Sequence, residues 1–392
     1  MRHAQVKSLA DIAESVSYGY TASATQAPVG PHFLRITDIV PQQIDWASVP
    51  YCKIEEKDRE RFSIKPGDIV IARTGATVGY AKLIRNHNDA VFASYLIRIR
   101  VDQTKADPGY VGQIVESDVY KKFVLSQVGG AAQPNANARV LSSFKLPIPA
   151  IQLQRRIAGT LATYDDLIEN NRRRIQLLEQ AARLLYKEWF IYLRFPGHEH
   201  VKIKDGVPEG WEKRQLSAIA DITMGQSPKS IYYNEDGNGL PFHQGVTNYG
   251  TRFPSHQIYC TLEGRLAEPD DILFSVRAPV GRINITLDKI VIGRGLAAIR
   301  SNIGQQNLLF YALKSHFFKE DMIGGGAIFA AITKKDLYEV ELVQPPDRFV
   351  EMFMAHVRPL DLQIENLHRS NNRLVEARDI LLPCLMKGEV AV

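Results

Sequence analysis

Apolar residues recur through the middle of this chain in steps of four and three. The series Tyr164, Ile168, Asn171, Ile175, Leu178, Ala182, Leu185, Trp189 is the a/d seam of a coiled coil. It predicts a helix from about Gln154 to Tyr192. Arg172, Arg173, Arg174, Glu179, Arg183, Lys187 and Glu188 fall between the seam positions, where solvent takes them. Asn171 is the polar exception. A polar seam residue costs stability and fixes register, because only one alignment pairs it. Asn171→Leu is therefore expected to stabilise the helix pairing while loosening its register. A second series, Leu360, Ile364, Leu367, Asn371, Leu374, Arg378, Leu381, Leu385, repeats the step near the C-terminus, with Asn371 near the place that Asn171 holds. Matched seams in one chain are expected to pack on each other, since the connecting chain supplies the effective concentration. At ~1.5 Å per residue the first helix spans roughly 55–60 Å, enough to separate globular parts.

Before the first helix the pattern changes to short runs of strand type. Leu9, Ile12 and Ala13 mark an amphipathic turn, and a polar loop follows from Tyr18 to Gly30. Strands are expected at Phe33–Thr37, Asp68–Arg73 (after the turn Lys65-Pro66-Gly67), Tyr80–Ile84, Ser94–Arg100 and Phe144–Pro149. A helix is expected from Tyr110 to about Val128, ended by Gly129-Gly130. Phe195-Pro196-Gly197 breaks the long helix, and Glu199 to Gly210 reads as a linker.

The same order then returns. Leu216, Ile219 and Ala220 answer Leu9, Ile12 and Ala13; Pro269-Asp270-Asp271-Ile272 answers Pro66-Gly67-Asp68-Ile69, 203 positions on. Val280-Gly281 answers Val78-Gly79, Gly325-Gly326 answers Gly129-Gly130, and Ile364-Glu365-Asn366 answers Ile168-Glu169-Asn170 at an offset of 196. Offsets that drift while the order holds describe one duplicated unit with loop insertions. The expected plan is globular unit, helix, globular unit, helix. Antiparallel helices would put the globular units at opposite ends of a rod, related by a pseudo-two-fold.

Composition adds little. The 392 residues can hold two or more cores, and a net charge of +5 permits a polyanionic partner without requiring one. Cys52, Cys260 and Cys384 are far apart and form no CxxC or Cys/His cluster, so neither a disulfide framework nor a metal site is expected. The first residues lack the apolar core of a signal peptide, and no apolar run approaches the ~20 residues that cross a bilayer. The expected location is the cytoplasm.

Catalytic signatures are missing. Gln344-Pro345-Pro346-Asp347 lacks the Asn/Asp and the aromatic that flank the prolines of a methyltransferase, and reads as a rigid strand-to-helix turn. Gly293-Arg294-Gly295-Leu296-Ala297-Ala298 matches GxGxxA, but the repeat puts a strand after it where a dinucleotide site needs a helix. His198 and His200 read as linker surface. No cofactor is expected.

Base reading needs other groups: Arg, Lys, Asn, Gln, Ser and Thr carried on loops that approach a duplex closely. Candidates are Arg73, Thr74 and Thr77 with their counterpart loop at Arg277, and Arg282 beyond it. Gln133, Asn135, Asn137 and Arg139 form a further group, and Gln226, Ser227, Lys229 and Tyr232 another. Paired loops of unlike sequence suit two different half-sites, whereas a homodimer would read a palindrome. Apolar residues off the seam, Leu161, Leu177, Leu184 and Phe190, are candidates for docking protein partners.

The duplicated pattern closely resembles the DNA-specificity subunit of type I restriction-modification systems. The resemblance rests on Phe144-Lys145-Leu146-Pro147-Ile148-Pro149 and the helix behind it, Val340 to Pro346 with its helix, Gly210-Trp211-Glu212, Met224-Gly225-Gln226-Ser227-Pro228, and the ending Asp379 to Val390. The first unit lacks the Gly-Trp lead-in, and Ala150-Ile151 stands where a second proline is common. The resemblance implies an α+β fold, with two globular α/β target-recognition domains separated by two long antiparallel coiled-coil helices and an internal pseudo-two-fold repeat. Its divisions here would be a first target-recognition domain at 1–150, a central helical spacer at 151–198, a second recognition domain at 199–346 and a C-terminal helical spacer at 347–392. It implies a non-catalytic subunit that reads a bipartite, asymmetric site on double-stranded DNA and docks methyltransferase subunits, two in number, and restriction subunits. Two rival readings stay open on sequence: a stand-alone methyltransferase or nuclease, and a coiled-coil scaffold without DNA specificity.

Overall fold

The computed structural model describes residues 5–41, 43–86, 89–129, 134–317, 331–387 and 389–390. Gln133, Gly130, Gly325, Gly326 and Gly388 lie outside the described residues. Among the described residues no helix is long and apolar enough to cross a membrane. The chain divides into two compact units, Met1–Arg172 with His368–Val392, and Arg173–Leu367. Each holds one globular half and a part of both long helices.

The first unit runs β1 (Gln5–Ser8), α1 (Leu9–Ile12), β2 (Ala13–Tyr18), β3 (His32–Leu34), α2 (Ile36–Ile39), α3 (Glu56–Phe62), β4 (Asp68–Ala72), β5 (Ala81–Leu83), β6 (Ala90–Phe92), β7 (Leu96–Val101), α4 (Pro108–Val115), α5 (Asp118–Gln127), α6 (Ala138–Ser142), β8 (Lys145–Ile148) and the start of α7 (Ile151–Tyr186). An antiparallel sheet has the order β2-β7-β4-β5; β3 pairs in parallel with β6, and β1 with β8 in antiparallel. All five residues of β4 are buried, which is why it reads as an unbroken apolar run after its first position. That first position is Asp68, whose carboxylate accepts the Lys65 backbone N–H at 2.9 Å and pairs with Arg100 at 2.8 Å. The helix expected from Tyr110 to Val128 is broken in two. At the break, Glu116 accepts the Leu83 N–H at 2.7 Å and the Lys82 ammonium at 2.9 Å, drawing the chain onto the edge of β5. The strand expected at Phe33–Thr37 ends at Leu34, because Asp38 accepts the Arg35 N–H at 2.8 Å and starts α2.

The second unit repeats this order with insertions. It contains β9 (Ile203–Lys204) and β10 (Val207–Pro208), a small hairpin within the expected linker. There follow β11 (Glu212–Gln215), α8 (Leu216–Ile219), β12 (Ala220–Met224), β13 (Tyr233–Asn234), β14 (Leu240–His243), β15 (Tyr259–Cys260), β16 (Leu266–Ala267), β17 (Ile272–Ser275), β18 (Ile283–Ile285), β19 (Ile290–Ile292), β20 (Leu296–Ser301), α9 (Gln306–Phe317), α10 (Lys334–Tyr338), β21 (Glu341–Gln344) and α11 (Asp347–Lys387), which continues into the first unit. The sheet β12-β20-β17-β18 matches β2-β7-β4-β5, β11–β21 matches β1–β8, and the parallel pair β14–β19 matches β3–β6. Asp271 repeats Asp68: it accepts the Glu268 N–H at 2.8 Å and pairs with Arg300 at 2.6 Å. Pro345-Pro346 joins β21 to α11, and β20 follows Gly293-Arg294-Gly295, as the repeat required.

Within each unit the long helices pair antiparallel along the expected seam. In the first, Ile157 and Leu161 share a core with Leu385, and Asp165 meets Arg378 at 2.8 Å. Farther along, the buried Asn171 donates its amide to Asn371 Oδ1 at 2.9 Å, while Asn371 donates to the Ile168 carbonyl at 3.3 Å. The asparagines are partners rather than repeat equivalents: the offset of 196 aligns Asn171 with Leu367 and Ile175 with Asn371. In the second unit Tyr186, Trp189 and Phe190 pack on Phe353, and Phe195 on Trp211 and Phe349. The α-helical geometry of α7 ends at Tyr186, short of the expected Tyr192, and a π-helical turn covers Lys187–Ile191.

Candidate nucleic-acid interface

In each unit the strands of the main sheet and of the parallel pair end along one edge, and loops converge there. In the first unit β2 ends at Tyr18, β3 at Leu34, β4 at Ala72 and β6 at Phe92. Tyr20 donates its N–H to Phe92 O at 2.8 Å, Ser94 to Tyr20 O at 2.8 Å, and Ala93 to Leu34 O at 2.9 Å. Gly19 is required here, because a Cβ would lie 2.2 Å from the Ala93 carbonyl oxygen. The loop after β4 joins the same edge: Arg73 donates to Tyr95 O at 3.0 Å, and Ala136 to Arg73 O at 2.8 Å.

The second unit makes equivalent contacts with different residues. Gln226 donates to Ile292 O at 3.0 Å, Gly293 to His243 O at 2.8 Å, Val276 to Gly295 O at 3.0 Å and Ile332 to Val276 O at 2.9 Å. Gly225 takes the place of Gly19, with 2.2 Å between an added Cβ and the Gly293 carbonyl oxygen. Two isolated bridges match as well, Thr74 with Asn135 and Arg277 with Ala331. Arg277 therefore occupies the place of Thr74, and Val276 that of Arg73.

The side chains predicted to read DNA divide by how they are used. Arg73 reaches Asn135 Oδ1 at 3.3 Å and covers the Tyr18 ring at 5.1 Å, so residues 62 positions apart form one cluster. Thr74 and Thr77 are half-buried beside them. Asn137 caps α6, its Oδ1 accepting the Val140 N–H at 2.9 Å, which commits one face of that amide to the fold. Arg139 is exposed on α6. Gln226, Lys229, Arg277 and Arg282 are exposed in the second unit, and the Arg282 backbone N–H donates to Ser275 Oγ at 2.9 Å. Tyr232 is half-buried, its ring packed on the cluster of Phe242, Cys260 and Val291. Gln133 is outside the described residues.

Sequence reading overlooked Arg35, Tyr95, Gln244 and Arg294, all brought to the edges by the fold. Tyr95 is 61% exposed, and Gln244 and Arg294 are exposed. Arg294 donates its backbone N–H to Ser227 Oγ at 3.2 Å, and that hydroxyl donates to Gln244 Oε1 at 2.7 Å. The available signal was the repeat itself: Phe33 pairs with Val91 and Phe242 with Val291, so the residues that follow these strands correspond.

Of the docking candidates, Leu161 and Phe190 are corrected. Leu161 is fully buried in the first unit's core and Phe190 lies within the aromatic cluster of the second, so neither offers a surface. Leu177 and Leu184 remain, 58% and 49% exposed, and Ile191 continues their seven-residue step at 51%.

Two polar nodes, at the half-buried Asp165 and the buried Asp361, tie the globular halves to the helices. Asp165 receives Arg85 at 2.5 Å, Gln113 at 2.7 Å and Arg378 at 2.8 Å. Although burial raises its pKa, these donors outweigh burial and hold the carboxyl below the usual range. Asp361, 196 positions on, receives the buried Arg252 at 2.6 Å, Tyr311 at 2.6 Å and Asn307 at 2.7 Å. His243 Nε2 shares a hydrogen with His256 Nδ1 at 2.9 Å; burial, and then the neighbouring imidazole, lower the His243 pKa to about 4. Among the described residues no cluster of His, Cys, Asp and Glu could hold a metal ion.

The type I restriction modification DNA specificity domain matches residues 1–180 and again 208–372. A Methanocaldococcus jannaschii protein with the provisional name of MjaX type I restriction enzyme specificity subunit is 30% identical over 401 residues, spanning 99% of this chain and 94% of that protein. The MjaIX type I restriction enzyme specificity subunit of the same organism is 25% identical, over 86% of this chain and 82% of its own. The crystal structure of the type I restriction-modification system S subunit from M. genitalium has this fold, with a TM-score of 0.54 and 16% identity over 98% of this chain and 96% of that chain.

Proposed function

The chain belongs to the family of type I restriction-modification DNA specificity subunits, and from that premise we propose that its two loop edges each read one half of a bipartite, asymmetric target on double-stranded DNA. As a member of that family it is a DNA sequence-recognition subunit and not an enzyme; methylation and cleavage fall to the subunits it joins. The observation that carries the bipartite reading is the pair of edges itself. They share backbone contacts down to single hydrogen bonds, yet present unlike side chains: Thr74 against Arg277, Tyr20 against Gln226, Ser94 against Arg294. A common frame with different donors and acceptors suits two different base sequences.

The helices supply the second part of the proposal. The exposed step Leu177, Leu184, Ile191 is an apolar stripe on α7 and the π-turn that follows it. We assign it to docking of a methyltransferase subunit, with one such subunit for each repeat and room for restriction subunits in the complete assembly, working in the cytoplasm. The number of helical residues between the recognition units would then set the gap between half-sites.

Selection of bound duplexes from a random-sequence library by the full-length chain tests the reading, with salt varied to separate phosphate contacts from base contacts. Two short conserved blocks at a fixed gap are expected. Removing one heptad from α7 should change the preferred gap or abolish selection. A library returned without sequence preference at any salt would refute DNA recognition, and an unchanged gap at full affinity would refute the ruler.

A further inference from the structure

The repeat makes Arg35 and Gln244 equivalent, and we infer that this one repeated position reads a base in each half-site, guanine through Arg35 and adenine through Gln244. The inference rests on the proposed bipartite reading and gives it particular residues. The equivalence comes from the backbone. Each residue directly follows a short parallel strand whose last carbonyl accepts one N–H from the crossing strand's loop: Leu34 O from Ala93 at 2.9 Å, and His243 O from Gly293 at 2.8 Å.

Both side chains are held by a neighbour and still present their reading groups. Asp38 engages Arg35 side-on, taking Nε–H at 3.0 Å and Nη2–H at 2.8 Å. That leaves Nη1 and the second Nη2 hydrogen as an end-on fork, the geometry that meets O6 and N7 of guanine. The arginine side chain is 37% exposed. At Gln244 the Ser227 hydroxyl occupies one lone pair of Oε1 at 2.7 Å. The other lone pair and the amide N–H groups stay available, which is the acceptor–donor pair that meets N6 and N7 of adenine. The Gln244 side chain lies close over Gly293, where an added Cβ would be 2.7 Å from Oε1. A side chain buttressed before DNA arrives loses less rotamer freedom on binding.

The test is site selection from a random duplex library with the full-length chain, comparing wild type with Arg35→Gln and Gln244→Arg. Arg35→Gln should weaken a guanine preference at one position of one half-site by about 5- to 150-fold and leave the other half unchanged. Gln244→Arg should do the same for an adenine in the other half. Ser227→Ala, which removes the hydroxyl shared by Gln244 Oε1 and the Arg294 N–H, should broaden that adenine position. If Arg35→Gln fails to fold by circular dichroism, Arg35→Lys keeps the charge, loses the fork and carries the same expectation. Variants that select the wild-type sequence, or that alter both halves together, would overturn the inference while leaving bipartite recognition standing. No enriched sequence from the wild-type chain would instead remove the functional reading on which it rests.

Discussion

Replacing the asparagine pair on the helix seam should produce a large departure from additivity. Asn171 and Asn371 are both buried, joined at 2.9 Å, and Asn371 also reaches the Ile168 carbonyl at 3.3 Å. Asn171→Leu gains apolar burial, up to about 1.5–3 kcal/mol for a fully buried side chain. It also leaves the Asn371 carbonyl oxygen buried without its donor, at a cost of about 1–3 kcal/mol. These nearly cancel, so the stabilisation expected from the heptad pattern alone should not appear in the single variant. Asn371→Leu meets the same balance. The double variant keeps both burial gains and orphans nothing. It should therefore exceed the sum of the singles by the two orphan penalties together, at least about 2 kcal/mol. Amide hydrogen exchange of peptides from 157–171 and 371–385 reads the local opening free energy without assuming that both units unfold together. Additivity within about 0.5 kcal/mol would show that the pair is not coupled and would refute the reasoning.

Asp361→Ala should destabilise the second unit by about 3 kcal/mol in urea denaturation, because the buried Arg252 then keeps only Glu179 at 3.8 Å and the Tyr311 hydroxyl at 3.2 Å; Arg252→Met with Asp361→Leu should recover part of that loss. Stability should fall with acid through His243. Its folded pKa, about 4, lies below the ordinary value of 6.5, so the unfolded chain takes the proton first as pH drops. The contribution, up to about 3 kcal/mol, is complete above pH ~6.5 and lost by pH ~4, and denaturation midpoints of His243→Phe should show a flatter pH profile across that window. Gly225→Ala forces a Cβ to within 2.2 Å of the Gly293 carbonyl oxygen, so it should erase base preference in one half-site and spare the other when bound duplexes are sequenced. Leu177→Asp with Leu184→Asp should change stability by no more than about 1 kcal/mol, since both are exposed, yet abolish co-purification with the methyltransferase subunit.

Periodicity and duplication carried most of the architecture. The seam from Tyr164 to Trp189 was legible because burying one helical face imposes a step that no other constraint imitates, and Ile168, Asn171, Ile175, Ala182 and Trp189 are all buried. The repeat was legible because equivalent backbones need equivalent residues at strained or charged places, such as Asp68 and Asp271. Local pattern did not determine where the helix before Gly129 would break, since Glu116 is drawn aside by Leu83 and Lys82, 33 and 34 positions away. Nor did it separate Leu161 and Phe190 from Leu177 and Leu184: all four are apolar, and only tertiary packing covers the first two, Leu161 in the core that holds Leu385 and Phe190 against Phe353 and Trp211. The candidate reading residues show the same division. Composition drew attention to polar loops, but Arg35 and Gln244 stand at strand ends far from those loops in sequence. They gain a common role only when the parallel strands bring their backbones to matching places.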